Sequence, residues 1–322
     1  MAGQRGGRDG GLELDSGVIF LLGPTAAGKS RLAMTLAEKT GAEICSVDAF
    51  QIYRGLDIGT GKATKEDQVR VPHHLIDLVE PEGQFTVANY VREAEKVLQN
   101  LQKRKASSIW VGGTGLYHRA LTKGLSRAPG TEEAVAGKLE KRTTEELAKE
   151  VREVDPVWAA TADLKNRRRL IRALAVWRQT GKTMSTWHAH ETVKGPMADV
   201  EAWCLFPNLD VLIHVIRDRV KGMFDSGWVE EVRELMSRPA WAGCPGSRAI
   251  GYAEVAELVQ GRSDREETCD KIVSATRAYA KRQLTWFRGI PKVRAIEIDP
   301  REPLPKAGVE MLLRSLRAGG IS

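Results

Sequence analysis

A glycine-rich loop near the start of the chain limits the possible folds more than any other sequence feature. The loop fits the pattern Gly-x-x-x-x-Gly-Lys-Ser and reads Gly23-Pro24-Thr25-Ala26-Ala27-Gly28-Lys29-Ser30. It follows a short apolar run at residues 18–22 and precedes a segment, residues 32–37, whose apolar residues recur at helical spacing. Strand, loop and helix in this order predict a phosphate-binding loop.

The residue types of this loop suit a di- or triphosphate. Glycine lets backbone N–H groups converge on phosphate oxygens, and the N-terminus of the following helix adds partial positive charge. Lys29 can neutralise a terminal phosphate, and Ser30 can ligate Mg²⁺. The pattern therefore predicts a phosphate ligand and a magnesium ion, and it leaves open which di- or triphosphate binds.

The order of apolar patterns after the loop predicts the rest of the core. Residues 42–47 and 108–111 have the composition of buried strands, and residues 87–104 have the periodicity of a helix. Strands that alternate with helices favour a parallel sheet, so we expect an α/β fold of the P-loop NTPase type, with helices flanking the sheet. Residues 49–60 are too polar and too often interrupted by glycine for a core element.

The pattern changes in the middle of the chain. Charged helical segments, clearest at residues 132–151 and 164–179, predict an inserted helical domain. Residues 200–206 return to a strand pattern, and helices are expected near residues 210–236 and 264–287. The expected organisation is a flexible tail at residues 1–17, a core formed by residues 18–126 and 198–322, and an inserted domain at residues 127–197.

Composition excludes several classes of protein. With 322 residues, 42% of them hydrophobic and 28% charged, the chain has the balance of a globular protein of two or three compact units. No apolar run approaches the roughly 20 residues that span a bilayer, and the first residues lack the apolar stretch of a signal peptide. The 4 cysteines form no Cys-x-x-Cys pair. We therefore expect a cytoplasmic protein without a membrane segment, a disulfide framework or a structural zinc site.

The formal net charge is +7, and its distribution is uneven. Cations concentrate in Lys165-Asn166-Arg167-Arg168-Arg169 and in residues 277–294, a stretch without an acidic residue. Such clusters favour an anionic partner, although a solvated helix face would have the same composition.

Asp48 is the acidic residue that its sequence position singles out. It follows the second predicted strand, so it should lie at the same sheet edge as the phosphate loop. Its carboxylate could hold Mg²⁺, accept a proton from a nucleophile, or simply cap the turn that follows. A small-molecule kinase usually has a further carboxylate at a strand end, but the strand at 108–111 ends in Gly112-Gly113-Thr114-Gly115. A kinase would therefore have to use Asp48 for Mg²⁺.

Six motifs, in order from about residue 18 to residue 288, resemble the tRNA dimethylallyltransferase family. The last two have no role in a simple kinase, and the lack of zinc-binding cysteines favours the bacterial or organellar form of the family. The motifs are the phosphate loop, Ser46-Val47-Asp48 with residues 51–60, Pro72-His73-His74-Leu75-Ile76-Asp77, Val111-Gly112-Gly113-Thr114-Gly115-Leu116-Tyr117, Ala249-Ile250-Gly251-Tyr252, and Ala280-Lys281-Arg282-Gln283-Leu284-Thr285-Trp286-Phe287-Arg288.

The resemblance implies transfer of a dimethylallyl group from dimethylallyl diphosphate to N6 of the adenosine at tRNA position 37, beside the anticodon, with release of diphosphate. The phosphate loop would then hold the diphosphate of the donor rather than ATP. By resemblance, Asp48 is the general base, Thr25 lies near the bridging oxygen, and Arg219 binds the diphosphate. The implied diphosphate site is Gly23, Pro24, Thr25, Ala26, Ala27, Gly28, Lys29, Ser30 and Arg219, with Ser30 as a ligand of Mg²⁺.

The resemblance also implies a set of tRNA contacts. An adenosine stacked in the anticodon loop must be extruded to reach a buried carboxylate, and contacts to the loop must compensate for that cost. Ala49 stands where the family often has Ser, and Ala136 and Ala253 stand where many members have Arg. The implied tRNA-binding residues are Asp48, Ala49, Phe50, Gln51, Thr114, Arg168, Arg169, Leu170, Ile171, Arg172, Arg248, Ala249, Ile250, Gly251, Tyr252 and Ala253.

Three other interpretations remain open. A P-loop kinase of a small metabolite would turn over ATP. A prenyltransferase that acts on a free adenine nucleotide would not need the basic helical module or residues 281–288. A noncatalytic RNA-binding protein would have no reason to keep Lys29, Ser30 and Asp48 together. Because tRNA is an asymmetric substrate, we expect a monomer.

Overall fold

The computed structural model describes residues 17–190, 192–303 and 306–318. The tail expected at residues 1–17 lies outside these ranges, except for Gly17. The described chain forms two compact units: a larger one that runs to residue 121 and resumes at residue 199, and a smaller one from residue 122 to residue 198. None of the described helices is long and apolar enough to cross a bilayer.

A six-stranded sheet forms the centre of the larger unit, and all of its strand pairs are parallel. Its strands, in spatial order, are β3 (His73–His74), β2 (Glu43–Val47), β4 (Ser108–Gly112), β1 (Val18–Leu22), β7 (Glu201–Pro207) and β8 (Arg294–Ile298). Leu22 and Val47 both pair with Gly112, so three central strands end together at one sheet edge. The sheet confirms the predicted α/β fold.

Helices cover this sheet because their apolar stripes match its buried faces. Leu32, Ala33 and Leu36 pack with Ile19 and Leu21 in one cluster, as their helical spacing predicts. The helices of the larger unit are α1 (Lys29–Thr40), α2 (Lys65–Arg70), α3 (Val87–Lys103), α4 (Gly115–Lys123), α10 (Leu209–Asp225), α11 (Trp228–Met236), α12 (Tyr252–Val259), α13 (Arg265–Arg288) and α14 (Lys306–Ala318), with one turn of 3₁₀ helix at Gly246–Arg248.

The segment at residues 49–60 corrects one expectation from the sequence. It contains no helix, as its polarity and glycines predict, yet Ile52 and Leu56 are fully buried in a second hydrophobic cluster. That cluster also includes Trp228, Tyr252 and Ile272 from three helices of the larger unit. The polar segment is therefore part of the core through these two side chains and that of Tyr53.

The smaller unit is helical, with α5 (Glu133–Leu139), α6 (Thr144–Val154), α7 (Pro156–Ala159), α8 (Arg167–Thr180), α9 (Met184–His190) and an antiparallel ribbon of β5 (Leu125–Ser126) and β6 (Thr192–Val193). Where the sequence predicts one helix, at residues 132–151, the structure has two, α5 and α6. Thr143 accepts a hydrogen bond from the Glu146 N–H, and the Glu146 carboxylate accepts one from Thr143 N–H. This capping box starts α6 after a break.

Candidate active site

A cavity of about 460 Å³ opens where the central strands end. The phosphate loop follows β1, Asp48 follows β2, and Gly113 follows β4, so the parallel order of the strands brings three loops to one place. Thr25, Lys29, Ser30, Asp48 and Arg219 all line this cavity. The structure therefore brings together the residues that the resemblance assigns to catalysis with Lys29 and Ser30 of the phosphate loop. Of the other implied diphosphate-binding residues, Gly23, Pro24 and Ala26 do not line this cavity, and Ala27 and Gly28 line a different pocket.

The backbone of the phosphate loop is in the left-handed region at Ala26 and Gly28, a conformation that glycine adopts most readily. Gly28, the N-cap of α1, has φ +79°, and Ala26 has φ +64°. The Lys29 Nζ donates a hydrogen bond to the Pro24 carbonyl at 2.7 Å and thus closes the loop. Burial, and to a smaller extent the Arg219 cation, lowers the pKa of Lys29 to about 8. An anionic ligand beside Lys29 would raise this pKa again.

Arg219 reaches the cavity from α10. Its Nη1 donates to the Thr25 Oγ1 at 2.7 Å, although the two residues are far apart in sequence. Burial lowers the pKa of Arg219, while the nearby Asp48 carboxylate raises it. Two cations and a threonine hydroxyl thus converge beside the loop, which is the charge arrangement that a leaving diphosphate requires.

Asp48 has two carboxylate oxygens in different environments. Oδ1 accepts hydrogen bonds from the backbone N–H groups of Phe50, at 2.8 Å, and Gln51, at 3.3 Å. Among the described residues, none donates a hydrogen bond to the second carboxylate oxygen, Oδ2. The turn-capping role that the sequence left open is thus observed, and it leaves the second oxygen for a proton.

The surroundings of Asp48 are aromatic and largely buried. Tyr279 of α13 lines the cavity, and burial together with the Asp48 charge raises the pKa of Tyr279 to about 12. Burial and Asp48 also raise the pKa of Tyr117. These phenols therefore stay neutral near neutral pH, and the carboxylates that line the cavity are those of Asp48 and Asp67.

The loop after β2 holds itself in place through side-chain amides and hydroxyls. The Gln51 amide bonds to the Ser46 hydroxyl at 2.8 Å and to the carbonyls of Thr60 and Gly61 at 3.3 and 3.2 Å. The Thr114 Oγ1 accepts a hydrogen bond from the Ala49 N–H at 3.2 Å. Gln51 and Thr114, both implied to bind tRNA, thus have partners within the protein.

The other implied tRNA-binding residues of the larger unit are partly inside and partly outside the cavity. Phe50, Ala249 and Ile250 line it. Tyr252 is fully buried and donates its hydroxyl hydrogen to Glu231 at 2.6 Å, so its ring is part of the core. Like Ala49, Thr114 and Tyr252, three further residues do not line the cavity: Arg248 and Ala253 are exposed, and Gly251 is buried.

The implied tRNA-binding residues of the smaller unit, residues 168–172, lie on different faces of one helix, some exposed and some buried. On α8, Arg168 and Arg169 are exposed, whereas Leu170 and Ile171 are buried in the core of this unit. Arg172 is half-buried and donates to the Pro129 and Ala128 carbonyls and the Thr131 hydroxyl, and burial lowers its pKa. The exposed cations of this run are therefore Arg168 and Arg169.

Two charged residues that the sequence did not single out shape the segment at residues 57–62. The Glu231 carboxylate accepts hydrogen bonds from the consecutive N–H groups of Asp57, Ile58 and Gly59, at 3.0, 2.7 and 3.3 Å. The buried Lys62 ammonium donates to the Tyr53 carbonyl and to two aspartate side chains. The backbone partners of Glu231 are more than 170 positions away, so no local sequence signal marks it, whereas the partners of Lys62 lie 5 to 15 positions away.

Comparison with known proteins identifies the family. The sequence profile of the IPP transferase family matches residues 51–290, well over half of the chain. The chain belongs to this family. The tRNA dimethylallyltransferase of Geobacter sulfurreducens is 39% identical over 284 residues, which make up 87% of this chain and 91% of that relative. The tRNA dimethylallyltransferase 1 of Trichlorobacter lovleyi is 41% identical over 278 residues, 85% of this chain and 91% of the relative.

Solved structures agree with this membership of the IPP transferase family. The tRNA isopentenylpyrophosphate transferase of Bacillus halodurans matches with a TM-score of 0.66 and 30% identity, over 94% of this chain and 96% of that one. A eukaryotic dimethylallyltransferase that acts on tRNA matches with a TM-score of 0.72 over 93% of this chain and 85% of that one. At 22% identity, this second match shows a shared fold. The matches confirm the resemblance inferred from the six motifs.

Proposed function

We propose that this IPP transferase family member transfers a dimethylallyl group from dimethylallyl diphosphate to N6 of the adenosine at tRNA position 37 and releases diphosphate. The names of its relatives support the reaction and the tRNA substrate. One observation carries the finer proposal. The phosphate loop with Lys29 and Thr25 shares a single cavity with Arg219 and Asp48, so groups for a diphosphate leaving group and for a proton lie side by side.

The proposed reaction needs little covalent chemistry from the protein. The N6 lone pair attacks C1 of the dimethylallyl group, and the C1–O bond breaks with its electron pair leaving on the diphosphate. The N6 proton goes to Oδ2 of Asp48, the carboxylate oxygen without a backbone partner. Arg219, Lys29 and the Thr25 hydroxyl stabilise the charge that develops on the leaving group, and one such contact typically contributes about 2.7–4 kcal/mol.

Magnesium is part of the proposal. Within the ranges that the structure describes, no three His, Cys, Asp or Glu side chains form a metal cluster. Mg²⁺ commonly binds through one or two protein ligands plus substrate phosphates, so the Ser30 hydroxyl in the cavity fits such a site. When bound, Mg²⁺ would neutralise charge on the diphosphate.

The nucleic-acid part of the proposal concerns the anticodon loop. Extrusion of one base costs a few kcal/mol, which contacts to the surrounding loop must offset. Arg168 and Arg169 are exposed cations at the start of α8 and can contact phosphates. We propose that the protein acts on the anticodon loop as a monomer.

A transfer assay tests the proposed function. Purified protein and Mg²⁺ are incubated with dimethylallyl diphosphate or ATP, and with unmodified tRNA or AMP, and the nucleosides are analysed by mass spectrometry. The proposal predicts a dimethylallyl mass gain on adenosine only with the prenyl donor and tRNA. Modification of AMP would support the free-nucleotide prenyltransferase instead, and consumption of ATP without prenyl transfer would support the kinase.

A further inference from the structure

Gln283 occupies a central place between two of the loops that form the cavity. It lies on α13 with only 5% of its surface exposed. Its Oε1 accepts a hydrogen bond from the Thr25 N–H at 2.9 Å, and its Nε2 donates one to the Gly113 carbonyl at 2.9 Å. One amide thus joins the loop after β1 to the loop after β4.

The contact with Gly113 is so close that a side chain at this position would push the Gln283 amide aside. A Cβ atom at Gly113 would overlap the Gln283 Nε2 and would lie 3.4 Å from the Gly23 carbonyl oxygen. Because real Cβ atoms do not approach other atoms within 3.0 Å, a side chain at position 113 would displace the glutamine. The glycine and the glutamine therefore form a matched pair.

The oxygen of the Gln283 amide holds the backbone of Thr25 in place. The Thr25 N–H is occupied by Gln283, and the Thr25 hydroxyl accepts a hydrogen bond from Arg219 at 2.7 Å. Thr25 is thus held from two sides, by α13 through its backbone and by α10 through its side chain. Because Gln283 takes up the Thr25 N–H, the Thr25 hydroxyl is the group of this residue that is left to donate to a ligand in the cavity.

One helical turn before Gln283, the same helix is linked through Thr114 to the third loop, the one after β2. Tyr279 lines the cavity and interacts with Thr114, whose hydroxyl oxygen accepts the N–H of Ala49 next to Asp48. Residues four apart lie on one face of a helix, so this face of α13 contacts the phosphate loop and the loop after β4, and Thr114 links it to the loop after β2.

We propose that Gln283 is a positioning residue that sets the Thr25 hydroxyl against the leaving oxygen of the diphosphate. This role rests on the proposed prenyl transfer. Both polar atoms of the Gln283 amide have partners in Thr25 and Gly113, so Gln283 acts through these two residues. Because misplacement by about 1 Å can reduce a rate about 100-fold, loss of this link lowers the rate of transfer while diphosphate binding through Lys29 and the loop is retained.

Gln283→Met tests the role, since methionine has a similar length and no amide. We expect the single-turnover rate of dimethylallyl transfer to tRNA to fall about 100-fold, while the Kd for inorganic diphosphate changes less than about threefold. Gly113→Ala provides a second route to the same defect, because its Cβ displaces Gln283. Cys269→Ala is the control, since Cys269 is buried on the same helix and does not line the cavity.

The outcomes separate this role from the function itself. The proposal predicts that both site variants lose rate and keep diphosphate affinity, and that Cys269→Ala lowers the Tm without lowering the rate. It is overturned if Gln283→Met transfers as fast as the wild type, or if rate and diphosphate affinity fall together in both site variants. A wild-type protein that does not transfer at all would overturn the proposed function and, with it, this role.

Discussion

Replacement of Asp48 by asparagine separates the two tasks of this residue. Asparagine keeps an oxygen that can accept the N–H groups of Phe50 and Gln51, so the turn after β2 is retained. Its amide nitrogen replaces the carboxylate oxygen that is left for the proton. General-base catalysis typically contributes 100- to 10,000-fold, so we expect the single-turnover rate to fall by about that factor, or about 2.7–5.5 kcal/mol.

The assay uses saturating dimethylallyl diphosphate and unmodified tRNA, with separate measurements of Tm and of the Kd for tRNA. Asp48→Asn should keep a wild-type Tm and tRNA affinity. Asp48→Ala should lose the rate and also stability, because two backbone N–H groups lose their acceptor at about 1 kcal/mol each. A rate for Asp48→Asn within about threefold of the wild type would refute the reasoning, since another group would then accept the proton.

Three further predictions concern charge. Lys29 has a pKa of about 8, so its ammonium is present below that pH and lost above it. The affinity for inorganic diphosphate, measured by calorimetric titration, should therefore decline as the pH rises beyond about 8. Glu231→Ala removes the acceptor of three backbone N–H groups and a tyrosine hydroxyl, so the free energy of unfolding in urea should fall by about 2 kcal/mol. The double variant Arg168→Glu, Arg169→Glu should weaken tRNA binding, measured by filter binding. The slope of the logarithm of the tRNA association constant against the logarithm of the salt concentration should also become shallower, by about one for each phosphate that the variant no longer neutralises.

Each of these predictions has a matched control. Lys29→Arg keeps its charge, so the decline above pH 8 should disappear, and its persistence would point to another group. Glu234→Ala removes an exposed carboxylate from the same helix as Glu231, and an equal loss of stability in both variants would contradict the role of Glu231. Arg152→Glu changes an exposed cation on α6, and an equal loss of tRNA affinity there would show a nonspecific charge effect.

The sequence predicts those parts of the site that depend on neighbouring residues. The phosphate loop, its strand and its helix form a contiguous pattern, and Asp48 follows a strand whose composition is that of a buried element. The parallel sheet then brings their ends together. The helix break at Thr143 was also readable in principle, because Thr143 and Glu146 have the spacing of a capping box.

The parts that escaped prediction depend on contacts between distant residues. Thr25 and Gln283 are 258 positions apart, so no local pattern marks their hydrogen bond. The burial of Ile52 and Leu56 likewise comes from packing against side chains of helices more than 150 positions away, among them Trp228 and Tyr252. Polarity alone therefore gave a wrong expectation for residues 49–60.

The position of the modified nucleoside tests the central claim most directly. Unmodified tRNA is incubated with the protein and dimethylallyl diphosphate, digested with a nuclease, and the fragments are sequenced by tandem mass spectrometry. The account predicts one dimethylallyl group on N6 of the adenosine at position 37, with one diphosphate released, and no product with Asp48→Asn on the same time scale. Prenylation at another position, or equal prenylation by Asp48→Asn, would contradict a reaction at this cavity.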